Sequence, residues 1–99
     1  MRDNSSPIEL PIDGVLDLHA FRPAEVAALL RDYLAECRKL GIIHIRIIHG
    51  KGTGTLRRLV HAQLERIDAV LDFRLGDETN GSWGVTLVTI RPPDRPASA

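Results

Sequence analysis

Residues 42–49, IIHIRIIH, restrict the fold more than any other segment, because a run so rich in β-branched side chains is typical of a β-strand inside a sheet. We predict that this strand is central and covered on both faces. It leads directly into residues 49–54, HGKGTG, called the glycine loop below, and then into an amphipathic helical pattern. A strand that passes through a glycine-rich turn into a helix indicates an α/β arrangement.

One folded domain is predicted between residues 13 and 91, because a chain of 99 residues has room for a single core. Residues 1–12 and 92–99 are polar and contain prolines that a sheet ladder excludes, so we predict a flexible N-terminal tail and a disordered C-terminal tail. No apolar run reaches the length of a signal core or a membrane span. The single cysteine, Cys37, falls on the apolar spacing of a helix, and a reducing, cytoplasmic location is expected.

The predicted elements follow the order strand, helix, strand, helix, strand, strand. The first strand covers residues 15–19, the first helix begins at Pro23 and ends at Gly41, and Thr53 or Thr55 caps the second helix. AVLDFRL and WGVTLVTI supply the third and fourth strands. Two helical crossovers predict right-handed connections and parallel pairing of the first three strands, in a mixed four-stranded sheet within a two-layer α+β sandwich.

Three turns are predicted to meet at the carboxyl ends of the strands, where open α/β sheets bind ligands: DLHAF, HGKGTGT and NGSWG. Asp17 and His19 lie two residues apart on a strand, so they project from the same face. A carboxylate beside an imidazole fixes its tautomer and raises its basicity, which suits general acid or base catalysis. The alternative is that Asp17 caps a backbone amide and that His19 only ends the strand.

The glycine loop is predicted to bind an anion, because its glycines leave the backbone accessible beside the N-terminus of the second helix. The predicted phosphate-binding residues are Gly50, Lys51, Gly52, Thr53, Gly54, Thr55, Arg57 and Arg58. The helix dipole disfavours the two arginines by roughly 0.3–1 kcal/mol each, and an anionic partner reverses that penalty. The spacing of glycines and lysine excludes both a Walker P-loop and a dinucleotide fingerprint.

Basic residues are concentrated in one part of a chain whose 13 acidic and 13 basic residues balance. No acidic residue lies between Glu36 and Glu65. The basic residues of this interval are Arg38, Lys39, Arg46, Lys51, Arg57 and Arg58. They predict a local electropositive region, with an ordinary solvated face as the alternative.

The segments LDLHAFRPAEVAALLRDYL, IRIIHGKGTGTLRRLVHAQL and NGSWGVTLV, taken together, resemble the small MutS-related (Smr) domain family. The resemblance implies a fold similar to the carboxyl-terminal domain of bacterial translation initiation factor three. It also implies an endonuclease that nicks or cuts DNA or RNA, in DNA repair or near the translation machinery. Asp17 and His19 match the proposed catalytic motif, and the glycine loop matches the second motif. Ala20 stands where the family commonly has glycine, so this turn departs from the pattern.

The mechanistic hypothesis assigns His19, oriented by Asp17, to deprotonate a nucleophile such as the adjacent 2′-hydroxyl of RNA. His49 then protonates the leaving oxygen, while Lys51 and the loop amides hold the phosphate during hydrolysis or transesterification. No cofactor is required. A variant in which Asp17, His19 and His49 hold Mg²⁺ or Mn²⁺ stays open, although only one carboxylate is near and Mg²⁺ prefers oxygen ligands.

Other predictions concern the aromatic and histidine residues and the alternative functions. Trp83 is predicted to stack on a base at the rim of the site, with a half-buried core position as the alternative, and Gly84 indicates a close backbone approach. His44 and His61 are expected to be packing or surface residues. A monomeric, non-catalytic adaptor that binds nucleic acid or a ribosome is the main alternative function, and an enzyme acting on a small phosphometabolite is the second. No membrane partner is expected.

Overall fold

The computed structural model describes residues 11–77 and 84–93. Its elements, in chain order, are β1 (Val15–Asp17), α1 (Pro23–Lys39), β2 (His44–Ile48), α2 (Thr55–Leu64), β3 (Val70–Leu75) and β4 (Val85–Ile90). The predicted order of strands and helices is confirmed. Most of both predicted tails, and the turn that contains Trp83, lie outside the described residues.

The four strands form one mixed sheet in the order β1-β2-β4-β3. β1 and β2 pair in parallel, whereas β4 pairs antiparallel with both β2 and β3. The prediction that β3 pairs with its parallel predecessors is therefore wrong, because β4 returns between β2 and β3. In that interior position β4 forms two ladders and buries Val88 and Ile90 in the core. β2 is an interior strand, as predicted.

Both helices pack on the same face of the sheet, and the part of the chain that the structure describes leaves the other face, called the open face below, without a covering helix. Along β2 the buried residues Ile45 and Ile47 alternate with the exposed residues His44 and Arg46. The prediction that β2 is covered on both faces is therefore wrong. The buried residues of the sheet form one core cluster with those of α1 and α2, which gives the predicted two-layer α+β sandwich.

Local signals set the boundaries of α1. Pro23 occupies the first turn, and the carboxylate of Glu25 accepts a hydrogen bond from the backbone N–H of Arg22 at 2.8 Å. Gly41 follows the helix with φ of +80°, a conformation that side chains with a Cβ disfavour. Cys37 lies on the buried stripe of the helix, and burial raises the pKa of its thiol. Within the described ranges, neither helix has both the length and the apolar character needed to cross a bilayer.

Candidate functional site

Asp17 and His19 form a hydrogen-bonded pair at the carboxyl end of β1. The Asp17 Oδ1 atom accepts hydrogen bonds from the backbone N–H of His19 at 3.0 Å and from His19 Nδ1 at 2.8 Å. These two contacts, the backbone one first, lower the pKa of Asp17. Because the carboxylate only accepts, Nδ1 carries the proton, and Nε2 of a neutral His19 is left to accept one. The side chain of His19 is 79% exposed, so an external substrate can reach it.

The sequence allowed two interpretations of Asp17 and His19, a catalytic pair or a cap of a backbone amide, and the structure contains elements of both. Asp17 caps a backbone amide, and it also orients an accessible imidazole. The pair adjoins the start of the glycine loop, because the N–H of Leu18 donates to the carbonyl oxygen of Ile48 at 2.9 Å. The carboxyl ends of β1 and β2 therefore form one edge, as predicted for parallel neighbours.

His49, the first residue of the glycine loop, is only 5% exposed. Its Nδ1 lies 3.0 Å from the carbonyl oxygen of Gly50, and its Nε2 lies 2.7 Å from Oγ1 of Thr86. Burial, with a smaller contribution from the charge of Arg57, lowers the pKa of His49. With both ring nitrogens engaged and little exposure, His49 is placed to hold the loop rather than to protonate a leaving oxygen.

The side chains that bind His19 and His49 lie on opposite faces of the sheet. Thr86, the partner of His49, pairs with the buried Ile47 and belongs to the helix-covered face. Asp17 is exposed and holds the His19 ring on the open side. The prediction that the two imidazoles face one phosphate stays a prediction, and no described contact joins the two rings. Among residues 11–77 and 84–93, no three His, Cys, Asp or Glu side chains are grouped to hold a metal ion, so the alternative metal set is not assembled there.

The glycine loop ends at the N-terminus of α2 in a conformation that requires glycine. Gly50 and Gly54 have φ values of +83° and +90°. Gly54 is the N-cap of α2, so the prediction that Thr53 or Thr55 caps this helix is wrong. Thr53 Oγ1 instead accepts from the backbone N–H of Thr55 at 3.3 Å and lies 2.8 Å from Thr55 Oγ1. Thr53 thus engages the first amide of α2, whereas the N-cap Gly54 has no side chain to bind the amides that follow, and such amides can bind an anion.

Arg57 and Arg58 fold back over Gly54. A Cβ atom built on Gly54 would lie 2.8 Å from Arg57 Nη2 and 3.2 Å from Arg58 Nη1. Two guanidinium groups are thus held beside the positive end of the helix dipole, and neither forms an ion pair within residues 11–77 and 84–93. The loop encloses a cavity of about 150 Å³ lined by His49, Gly50 and residues 52–57. This volume is below the roughly 300–1,000 Å³ of drug-sized ligand sites, so it suits one phosphate group better than a whole metabolite.

The electropositive region is smaller than the acid-free interval of the sequence. Arg38 donates to the carbonyl oxygens of Arg91 and Pro92, at the end of the sheet opposite the glycine loop. Lys39 pairs with Glu36 at 3.2 Å on the same helix. Of the basic residues in the interval, Lys51, Arg57 and Arg58 belong to the glycine loop or to the first turn of α2.

Gly84 joins β4 to the glycine loop through the backbone. Its carbonyl oxygen accepts hydrogen bonds from the N–H groups of His49 and Gly50, both at 2.9 Å. A Cβ atom on Gly84 would lie 3.3 Å from both the C and the Cα atoms of Gly50. The close backbone approach predicted at this position is present.

Gly84→Ala is expected to lower the free energy of unfolding by about 1–3 kcal/mol, because the backbone of Gly50 must move to accept the added methyl group. Urea denaturation with an unchanged m value measures this loss. Gly52→Ala is the control, since a Cβ there meets nothing within 4 Å and Gly52 is not among the positive-φ glycines. Equal losses in the two variants would contradict the importance of this contact.

The sequence gives Thr86 no predicted role and assigns His61 to packing or to the surface, whereas the structure joins the two residues. Nε2 of His61 lies 2.8 Å from Thr86 Oγ1, and the rings of His49 and His61 meet edge to face with centroids 6.2 Å apart. Burial lowers the pKa of His61, and the charges of His49 and Arg57 lower it further. The sequence does contain one signal. Thr86 is a polar residue at the same two-residue spacing as the apolar Val88 and Ile90, so it shares their face of β4.

Stability is expected to fall on acidification in two separate stages. His49 and His61 have folded pKa values below the ordinary 6.5, so the unfolded chain binds more protons and stability is lost as the pH falls below 6.5. Asp17 adds a second loss as the pH falls below its ordinary 3.8. Melting temperatures measured from about pH 8 to about pH 3 test this, because these values bracket both ordinary pKa ranges. In His61→Gln the first stage should shrink, whereas an unchanged first stage would contradict the assignment.

Comparison with known proteins identifies a family match over most of the chain. The family model of the Smr domain matches residues 16–91. Endonuclease MutS2 of Agathobacter rectalis is 35% identical over 82 residues, covering 83% of this chain and 10% of that protein. Endonuclease MutS2 of Geobacillus kaustophilus is 40% identical over 76 residues, covering 77% of this chain and 10% of that protein. The chain thus spans about a tenth of the length of these curated relatives.

Two solved structures share the fold. The crystal structure of the Smr domain of Thermus thermophilus MutS2 superposes with a TM-score of 0.76 at 36% identity, covering 81% of this chain and 100% of that chain. YdaL, a stand-alone small MutS-related protein from Escherichia coli, gives a TM-score of 0.73 at 23% identity, covering 79% of this chain and 64% of that chain, and this likeness concerns the fold alone. The predicted fold class is confirmed.

Proposed function

The chain belongs to the Smr domain family, and on that premise we propose that it binds nucleic acid and cuts or nicks its phosphodiester backbone. The observation that carries the proposal is the accessible imidazole of His19, held by the Asp17 carboxylate at the edge of the sheet. Two relatives named for endonuclease activity match 83% and 77% of this chain. Whether the natural substrate is DNA or RNA is decided by the experiment below.

In the proposed reaction, His19 Nε2 takes the proton of the attacking oxygen, which comes from water or from an RNA 2′-hydroxyl. That oxygen forms a bond to phosphorus as the bond to the leaving oxygen breaks. Asp17 keeps Nδ1 protonated and stabilises the imidazolium that forms. The exposed imidazolium then returns its proton to the leaving oxygen or to solvent. His49 takes no direct part in this scheme, because it is buried and both of its ring nitrogens are engaged within the protein.

The glycine loop is proposed to hold a phosphate of the same strand. The N-terminus of α2 supplies amide donors, and Arg57 and Arg58 beside Gly54 supply positive charge. Lys51 in the same loop is proposed to add a third cation. Such contacts position a backbone without reading its bases, so the proposed binding tolerates different sequences. A strand lying across the edge formed by β1 and β2 would then meet the loop and His19 together.

A non-catalytic nucleic-acid adaptor is the second candidate, and the burial of His49 favours it. The predicted mechanism uses two histidines, but His49 is buried and only His19 remains accessible as an acid–base residue. The basic groups beside α2 would serve an adaptor equally well. We also propose that the protein acts in DNA repair or at the translation machinery. Its proposed form is a monomer in the cytoplasm.

Incubation of the purified protein with end-labelled single-stranded RNA, duplex DNA and branched DNA, with and without chelator, separates these functions. Accumulating cleavage products from one substrate class would support the endonuclease and identify its substrate. A retarded but intact substrate throughout would support the adaptor. Absence of both binding and cleavage for every substrate would overturn the proposed function.

A further inference from the structure

Thr86 lies between two histidine rings beneath α2. Its hydroxyl oxygen is 2.7 Å from Nε2 of His49 and 2.8 Å from Nε2 of His61, and its side chain is fully buried. The His61 ring also packs against Phe73 on β3, with ring centroids 4.9 Å apart. We call His49, Thr86 and His61 the histidine relay. It connects α2 and β4 to the first residue of the glycine loop.

The chemistry of the partners fixes the direction of each hydrogen bond in the neutral relay. The carbonyl oxygen of Gly50 can only accept, so Nδ1 of His49 carries the proton and Nε2 is an acceptor. Thr86 must then donate its single hydroxyl hydrogen to His49. The Thr86 oxygen therefore accepts from His61, whose Nε2 carries the proton. The two histidines are thus opposite tautomers.

The hydrogen bond from His49 Nδ1 to the carbonyl oxygen of Gly50 orients the peptide group between Gly50 and Lys51. Because this peptide is trans, its N–H points away from the carbonyl oxygen that faces His49. Gly50 has no side chain and a φ of +83°, so its own backbone preferences leave the peptide that follows it free to rotate. The hydrogen bond from His49 removes that freedom and directs the Lys51 N–H away from the imidazole.

We propose that Thr86 and His61 are positioning residues that stabilise the His49 tautomer selected by the Gly50 carbonyl and thereby hold the glycine loop in its phosphate-binding conformation. The inference rests on the proposed function, because the ligand of the loop is taken to be a nucleic-acid phosphate. Neither residue touches that ligand. Their effect is transmitted through His49 and the carbonyl of Gly50.

Nitrogen-15 spectra of the histidine rings, recorded above pH 6.5 where both imidazoles are neutral, test the relay directly. We expect protonated Nδ1 in His49 and protonated Nε2 in His61. In Thr86→Val, the Nε2 resonance of His49 should move toward that of a nitrogen accepting no hydrogen bond, whereas Thr86→Ser should retain the wild-type position. Finding the same tautomer in both histidines would overturn the relay.

Binding and loop spectra test the positioning role. Thr86→Val should shift the backbone amides of residues 50–54 and weaken binding of a labelled single-stranded oligonucleotide by about threefold to tenfold, the loss expected for one hydrogen bond. Thr86→Ser should restore both. Wild-type loop spectra and affinity in Thr86→Val would overturn the proposal.

His61→Phe is the second variant, because it keeps an aromatic ring beside Phe73 and serves if Thr86→Val fails to fold. It should shift the same loop amides in the same direction, and unchanged loop amides in a folded His61→Phe would overturn the proposal. A wild-type protein that binds no oligonucleotide would overturn the proposed function separately, while the amide shifts of the variants would still decide whether the relay positions the loop.

Discussion

Replacing His19 with glutamine is expected to slow phosphodiester cleavage by about 10²–10⁴-fold, the usual contribution of a general acid–base residue. Glutamine retains a polar group of similar reach but cannot take a proton near neutral pH. The affinity for uncut nucleic acid should fall by no more than about tenfold, because the loss of His19 removes at most one ordinary hydrogen bond. Single-turnover cleavage and equilibrium binding measured on the same substrate separate the two effects.

Asp17→Asn should reproduce much of this loss, because an amide can pair with the opposite tautomer of His19 and thereby block the nitrogen that takes the proton. His44→Gln provides a matched control, since His44 is an exposed histidine at the other end of β2. Full activity in His19→Gln would remove the proposed base. Equal losses in His19→Gln and His44→Gln would point to a nonspecific effect instead.

Joint replacement of Arg57 and Arg58 with alanine is expected to weaken nucleic-acid binding by roughly tenfold to a hundredfold near 0.1 M salt. Both guanidinium groups lie over Gly54 at the start of α2, where a bound phosphate would meet them with the helix amides. Removing two phosphate contacts should also reduce the slope of log affinity against log salt by about two. Fluorescence anisotropy over a series of salt concentrations measures both quantities.

The matched control for this pair is Arg31→Ala combined with Arg66→Ala. Both residues are exposed, and neither belongs to the glycine loop or to the first turn of α2. The control changes net charge by the same amount, so it measures the long-range contribution of charge alone. If it weakened binding as much as the Arg57 and Arg58 pair, binding would depend on overall charge and the phosphate site would lose its support.

The sequence predicts the elements of this fold well, because their signals are local. Pro23 and Gly41 mark the ends of α1 through their own backbone preferences, and the structure places the helix between them. The partner of β3 could not be predicted in this way. Pairing depends on contacts between segments far apart in the chain, and a strand made last can enter the sheet between two made earlier.

The candidate site shows the same division between local and distant information. The hydrogen bond between Asp17 and His19 spans two residues, and the spacing of the motif was enough to predict it. Whether His49 is buried depends on which face of β2 the helices cover. The isoleucine-rich run suggests that both faces are covered, so it does not predict which face is buried. Once the open face is known, strand alternation places His49 with Ile45 and Ile47. The histidine relay could not be predicted from the sequence, because Thr86 lies far from both histidines along the chain.

The position of β4 in the sheet determines when the strands can pair during synthesis of the chain. A nascent chain that has left the ribosome only as far as residue 77 contains β1, β2 and β3, but β3 pairs with neither of the others in the finished sheet. Such a chain exposes unpaired strand edges, which are prone to aggregation in folding intermediates. Synthesis of Val85–Ile90 supplies both missing ladders together. We therefore expect folding to be completed late and in one cooperative step, when the final strand emerges.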